Sequence, residues 1–200
     1  MITIKNCNMP TACAIAMGKF ESIHLGHQAL IAEMIKIAKV RQLASALLVF
    51  EPHPYRVLVD ANYEPLLTSR QREHLVAKLG VDYLIEYPFD RALAALSPVD
   101  FCKLLCNDLK AQAVVVGEGY RFGHNREGDV QTLSKLAIGY GATVHEVTPL
   151  YSAQIAPLES QQRAKISTSV IRELLMSNKL HDAEVMLGHK RICQAFSKNA

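Results

Sequence analysis

The chain has 200 residues, half of them apolar and a fifth charged, with 22 basic against 19 acidic side chains and a net charge of +3. Such a composition can bury a sizeable core and excludes the low-hydrophobicity, high-charge balance of a disordered chain. Near-neutral charge gives no electrostatic footprint for nucleic acid or a membrane surface, and no apolar run reaches the roughly 18 residues of a membrane span. The first apolar run, bounded by Pro10 and Gly18, predicts a strand over 11–17 rather than a leader peptide. Apolar residues at Leu30, Ile31, Met34, Ile35 and Ala38 recur at helical spacing and predict a helix over 26–43. A second strand, SALLVF at 45–50, ends where Pro52 and Pro54 forbid continuation. Thr68 and Gln71 have capping-box spacing for a helix that Gly80 ends. A strand follows at 81–87, then a helix at 97–109 capped by Ser97 with Pro98 at its first position.

Further elements are a strand at 113–116, a glycine-rich loop at 117–128, a helix at 129–140, a strand at 143–147, and helices at 167–177 and 180–187. Strands alternating with helices imply an α/β fold with a five-stranded parallel sheet. The one long irregular stretch, 149–164, is expected to be a mobile loop. No linker divides two cores, so residues 1–190 are expected to form one domain and 191–200 a frayed tail. The five cysteines are odd in number and include no CxxC pair, which fits a reducing cytoplasm better than a disulfide framework or a zinc ribbon. Cys102 and Cys106, four apart on a predicted helix, read as core-facing thiols in preference to a metal pair.

Two segments carry chemistry. In GKFESIHLGH, at 18–27, His24 and His27 stand where a strand gives way to a helix. They share a helix face, the helix N-terminus suits phosphate, and Gly18 and Gly26 let backbone approach a ligand. Imidazoles there can donate to charge building on phosphoryl oxygens. The alternative is a helix start with two ordinary surface histidines; a metal site lacks a third ligand at matching spacing. The stretch is neither a Walker A loop nor a GxGxxG fingerprint. In KISTSVIR, at 165–172, Ser167, Thr168 and Ser169 lie between Lys165 and Arg172. Capping needs one hydroxyl, so three beside two cations suggest a polyphosphate. An early HxGH with a late KxSxS resembles the nucleotidyltransferase superfamily, shared in distant form with class I aminoacyl-tRNA synthetases. No anticodon-binding domain fits in 200 residues.

The resemblance narrows with FEPHP at 50–54, LLTSRQR at 66–72, LGVDYLIEYPFD at 79–90, LSPVDF at 96–101 and VVVGEGYRFGHNREGD at 114–129. In this order, from about residue 12 to 190, these segments resemble the FAD synthetase (FMN adenylyltransferase) module of bacterial bifunctional riboflavin kinase/FAD synthetases. The resemblance implies a Rossmann-like HxGH nucleotidyltransferase fold, helices on both sheet faces, and a small subdomain after the second predicted strand. It implies transfer of AMP from ATP to FMN, giving FAD and pyrophosphate with Mg2+. By motif match, His24 and His27 stabilise the α-phosphate, while Lys165, Thr168, Ser169 and Arg172, with Ser167, hold the β- and γ-phosphates. Gly18, Lys19, Phe20 and Gly26 would line the nucleotide turn. Pro52, His53 and Pro54 would border the flavin, with Arg70 or Arg72 near the FMN phosphate unless both are solvated. Gly117, Glu118, Tyr120, Arg121, Phe122 and Gly123 would close over the flavin. No kinase module is matched, so a separate riboflavin kinase is expected to supply FMN.

Three departures stand out. The family's Gly-x-Phe-Asp-Gly is here Gly18-Lys19-Phe20-Glu21-Ser22, and Lys19 either contacts phosphate or faces solvent. Gly119 replaces the acid or amide of the family's Gly-Glu-Asp/Asn-Phe-x-Phe-Gly, and the hydroxyl order after Ile166 differs. Two other readings follow: a degenerate flavin- or nucleotide-binding paralogue, or a nucleotidyltransferase for another phosphorylated metabolite.

Overall fold

The apolar runs of the sequence become the strands of one parallel sheet. The structure is a computed structural model that describes residues 1–5, 8–155 and 164–190. The strands are β1 (Ile2–Ile4), β2 (Cys13–Met17), β3 (Ala44–Glu51), β4 (Tyr83–Pro88), β5 (Ala111–Gly117) and β6 (Thr143–Val147). They lie in the order β1-β4-β3-β2-β5-β6, and every pairing is parallel. The helices are α1 (Leu25–Arg41), α2 (Pro54–Leu58), α3 (Ser69–Lys78), α4 (Arg91–Ala94), α5 (Pro98–Lys103), α6 (Val130–Ile138), α7 (Thr168–Met176) and α8 (Leu180–Leu187).

The sheet has six strands, not the expected five. The extra one is β1, whose three residues pair with Tyr83–Ile85 at the sheet edge. Only Ile4 of the three is buried. A run so short and so little buried carries no readable period.

β2 is buried along all five residues, and its side chains alternate between two cores. Ala14 and Ala16 join Ile31 and Met34 of α1, Val76 of α3, Ile171 of α7 and Met186 of α8. Cys13, Ile15 and Met17 face the other way, onto Phe101 of α5 and Leu133 and Ala137 of α6. Each large apolar side chain so buried stabilises the fold by about 1.5–3 kcal/mol.

The helix expected over 97–109 starts as α5, with the Ser97 side chain accepting from the Asp100 N–H. It then widens into a π-helical turn over Leu104–Asp108, closed by the Leu109 N–H on the Leu104 carbonyl at 3.0 Å. The wider turn sends both Leu104 and Leu105 inward. Cys102 is fully buried and Cys106 half-buried, both as free thiols. Burial pushes the Cys13 thiol up to about 12, far from the range of a nucleophile.

The connections position the site. α1 leaves β2 toward one core, whereas α6 follows the neighbouring β5 into the other. The chain thus opens a crevice beyond the carboxyl ends of β2 and β5, where parallel sheets bind ligands. The small appendage expected after the second predicted strand is the 52–68 stretch, with the single turn α2, beyond the end of β3. Part of the 149–164 stretch (156–163) and the 191–200 tail lie outside the described residues.

Candidate active site

The turn between β2 and α1 is folded inside out: of its polar residues, Glu21, Ser22 and His24 are buried and only Lys19 is exposed. Phe20 and Ile23 have φ of 47° and 48°, a left-handed backbone that costs a non-glycine residue roughly 1–2 kcal/mol. Both side chains are fully buried, which offsets that cost. Between them, Glu21 and Ser22 point inward, 3% and 0% exposed. Phe20 therefore packs in the core, 5.0 Å from the His27 ring, with Gly18 against its edge, while Lys19 faces solvent.

His24 is the N-cap of α1, and its Nδ1 accepts the His27 N–H at 3.1 Å. A neutral ring with that acceptor carries its proton on Nε2, which makes Nε2 a donor. The two imidazoles stack at 3.7 Å with planes 11° apart. Burial is the main force holding His24 down to about 4, and burial followed by the neighbouring His24 lowers His27 well below its ordinary value. Both rings are neutral near pH 7. Nδ1 of His27 is buried with no hydrogen-bond partner among the described residues.

The second phosphate-type segment meets this turn. Lys165 is exposed and forms an antiparallel bridge with Tyr151, while the Ile166 N–H bonds the Leu150 carbonyl at 2.9 Å. A Cβ on Gly26 would stand 3.1 Å from the His24 ring and 3.7 Å from the Ile166 carbonyl, so glycine lets the two segments touch. The three hydroxyls divide their work. Ser167 caps α7 by accepting from the Val170 N–H at 3.4 Å, Thr168 bonds the Ser22 hydroxyl at 3.0 Å, and Ser169 is exposed. His189, two residues past the end of α8, closes the base, with its Nε2 2.9 Å from the Ser22 carbonyl.

Arg172, on α7, directs one nitrogen at three acceptors. Its Nη2 lies 3.4 Å from Glu21 Oε2, 3.1 Å from the Tyr63 hydroxyl and 3.0 Å from the Glu64 carbonyl. The guanidinium also sits 5.1 Å above the Tyr63 ring. The Tyr63 hydroxyl donates a short hydrogen bond to Glu21. Burial and that bond push the Tyr63 phenol up to about 12.

On the side of β3, His53 is buried and caps α2, with Nδ1 accepting the Tyr55 N–H at 3.2 Å. Its Nε2 stands 3.9 Å from Glu21 Oε1, and burial outweighs Glu21 to lower its pKa. Arg72 is 3% exposed and pairs with Glu51 at 3.1 Å and Glu86 at 3.4 Å, so it is an interior ion pair rather than a solvated arginine. Arg70 is exposed. Glu51, His53, Thr68 and Arg72 line a cleft of about 360 Å³ beside Pro52 and Pro54.

The loop after β5 is built differently. Phe122 is 5% exposed and packs on Phe101 at 5.4 Å, and the Tyr120 hydroxyl lies 3.9 Å from Met17 Sδ. The Phe122 ring therefore belongs to the core. Gly117 ends β5, Gly123 packs on Pro98, and Glu118, Gly119 and Arg121 are exposed. Gly119 has a φ of +75°, and its N–H donates to Glu146 at 3.1 Å.

Glu21, Ser22 and Tyr63 are the site residues that motif reading did not assign. Glu21 and Ser22 stood out as departures from the family turn, while Tyr63 lies in no motif. No group of three His, Cys, Asp or Glu side chains among the described residues is placed to hold a metal ion. Nor is any helix among the described residues long and apolar enough to cross a membrane.

A parallel sheet with hydroxyls, histidines and an arginine gathered at its switch point defines an α/β protein of the nucleotidyltransferase type. Residues 7–161 match the FAD synthetase family model, and the chain belongs to that family. It is 31% identical over 180 residues to an FAD synthetase of Listeria monocytogenes serovar 1/2a, covering 89% of this chain and 69% of that protein. It is 32% identical over 180 residues to a bifunctional riboflavin kinase/FMN adenylyltransferase of Escherichia coli strain K12, covering 88% of this chain and 54% of that protein. The chain thus spans about half the length of the bifunctional relatives it matches. A crystal structure described as a macrolide-efflux protein from Streptococcus pneumoniae matches with a TM-score of 0.79 at 25% identity, over 94% of this chain and 70% of that one. A pantothenate synthetase from Thermus thermophilus matches with a TM-score of 0.50 at 16% identity, over 94% of this chain and 82% of that one, a likeness of fold alone.

Proposed function

We propose that this chain is an FMN adenylyltransferase that transfers AMP from ATP to the phosphate of FMN, giving FAD and pyrophosphate. The observation that carries this reading is the meeting of two phosphate-suited segments at the crevice. The Ser22–Thr168 hydroxyl contact at 3.0 Å and the approach of the Ile166 carbonyl to Gly26 bring HxGH beside the start of α7. His24 and His27 donate to the α-phosphate oxygens as the FMN phosphate attacks in line and charge spreads. A neutral His24 with its proton on Nε2 fits that task. Lys165, Ser169, Thr168 and Arg172, at a helix end capped by Ser167, hold the β- and γ-phosphates and stabilise the departing pyrophosphate.

On the acceptor side, Pro52, His53 and Pro54 border the flavin, the exposed Arg70 lies near the FMN phosphate, and the 117–123 loop closes over the flavin. Residues 1–190 carry this chemistry. Mg2+ would be held through the phosphates of ATP rather than by a side-chain cluster and would offset their charge, as is common for this ion. FMN is supplied by a separate riboflavin kinase. A use for ATP and the free Cys13, Cys102 and Cys106 support a cytoplasmic setting.

The test is to incubate the protein with Mg-ATP and FMN and quantify FAD and pyrophosphate. Equal amounts of both are expected. Bound ATP with no FAD would overturn the acceptor, and failure to bind ATP would overturn the reading as a whole.

A further inference from the structure

Glu21 is the structural centre of the site, although no motif assigns it a role. Its carboxylate meets the Tyr63 hydroxyl, Arg172 Nη2 at 3.4 Å and His53 Nε2 at 3.9 Å. Its carbonyl accepts the Leu67 N–H at 3.0 Å. One residue therefore ties together the turn after β2, the 59–67 stretch and α7. The carboxylate is buried while the Arg172 side chain remains 32% exposed, so the pair has one sealed and one open end.

We propose that Glu21 is a positioning residue that orients the Arg172 guanidinium toward a triphosphate. The proposal rests on the adenylyltransferase reading above. All three protein acceptors use Nη2, so Nε and Nη1 carry no partner among the described residues. A guanidinium is a rigid planar fork, and fixing one nitrogen fixes where the other donors point. The Tyr63 ring beneath it removes a second degree of freedom. Substituting Glu21 has two opposing effects. Losing a negative charge near the triphosphate favours ground-state binding, whereas losing the fixed fork removes a donor preorganised for charge on the departing pyrophosphate.

The two effects separate in kinetics. In Glu21→Gln, which keeps shape and an acceptor for Tyr63, kcat for FAD formation falls about tenfold. The Kd of Mg-ATP, measured by calorimetry, stays within about threefold of wild type because the opposing terms offset. The melting temperature falls only modestly, because glutamine keeps the volume and an acceptor for Tyr63 while giving up the charge that faces Arg172. Arg172→Lys lowers kcat in the wild-type background but adds little in the Glu21→Gln background, because both changes remove the same oriented donor. If Glu21→Gln does not fold, Tyr63→Phe deletes only the hydroxyl shared by both partners and should lower kcat about threefold at unchanged Mg-ATP affinity.

Wild-type kcat in either folded variant overturns the proposal. So does a joint loss of kcat, ATP affinity and melting temperature, which marks a purely structural role. Wild-type protein that binds no Mg-ATP overturns the functional reading and the proposal together, an outcome visible before any variant is made.

Discussion

Two loops leave neighbouring strands at one crevice, and they are held by opposite means. The turn after β2 buries polar groups: Glu21, Ser22 and His24 are at most 6% exposed, and Glu21 and Ser22 are cross-linked to α7, Glu21 also to the 59–67 stretch. Buried polar groups are costly unless each finds its partner, so such a turn has little freedom to move or change. The loop after β5 is anchored by aromatic burial instead, through Phe122 on Phe101 and Tyr120 near Met17, while its tip is exposed. Its ends are fixed and its tip can vary in sequence without leaving a buried group unpaired. The departures from the family pattern divide accordingly. Glu21 and Ser22 are built into the polar network, and Gly119 sits on the open tip.

The largest effect should come from the aromatic anchor. Phe122→Ala leaves a cavity in the second core and should destabilise the protein by about 3–5 kcal/mol, read from denaturant unfolding. An unchanged unfolding midpoint would show that burial does not hold this loop. On the polar side, His27→Ala should lower kcat on the order of 10²-fold, with Mg-ATP affinity largely intact, because its donor matters most as charge builds. Turnover at the wild-type rate would remove His27 from the chemistry.

The polar side also predicts a pH dependence. His24 and His27 have folded-state pKa values below their unfolded ones, by burial, so unfolding takes up protons wherever only the unfolded state is charged. Their contribution is complete above about pH 6.5 and is lost as pH falls toward about 4 for His24. The slope is about 1.4 kcal/mol per pH unit for each histidine in that window. Unfolding curves at pH 7, 6 and 5 measure it, and a profile no flatter after His24→Gln would contradict the assignment.

The smallest effect belongs to the tip. Gly119→Asn adds a side chain where a Cβ meets nothing within 4 Å, and asparagine tolerates the positive φ. FMN should bind roughly 2- to 12-fold tighter, the worth of one neutral hydrogen bond. Weaker binding at equal stability would mean the loop is shaped for another acceptor.

Much of this comparison was readable from the sequence because it rests on local signals. The capping box of Thr68 with Gln71 and the cap at Ser97 form as spacing predicts, whereas only the structure singles out Ser167 among three hydroxyls as the cap of α7. The strands at the centre of the sheet were legible as apolar runs. What escaped was set by tertiary contact. β1 is recognisable only through its pairing with β4. Arg72 has the sequence context of a solvated first-turn arginine, yet Glu51 and Glu86 reach it from the ends of two strands. Phe20 turns into the core because the backbone there is left-handed, and Tyr63 gains its role from residues more than forty positions away in each direction.

The central claim is that the polar side holds ATP while its α-phosphorus is attacked by the phosphate of FMN. A single-turnover reaction with FMN and Mg-ATP labelled at the α-phosphorus tests it most directly. The label should move into FAD, with unlabelled pyrophosphate released in equal amount. Label left in ATP or appearing as free AMP, with no labelled flavin product, would contradict the account.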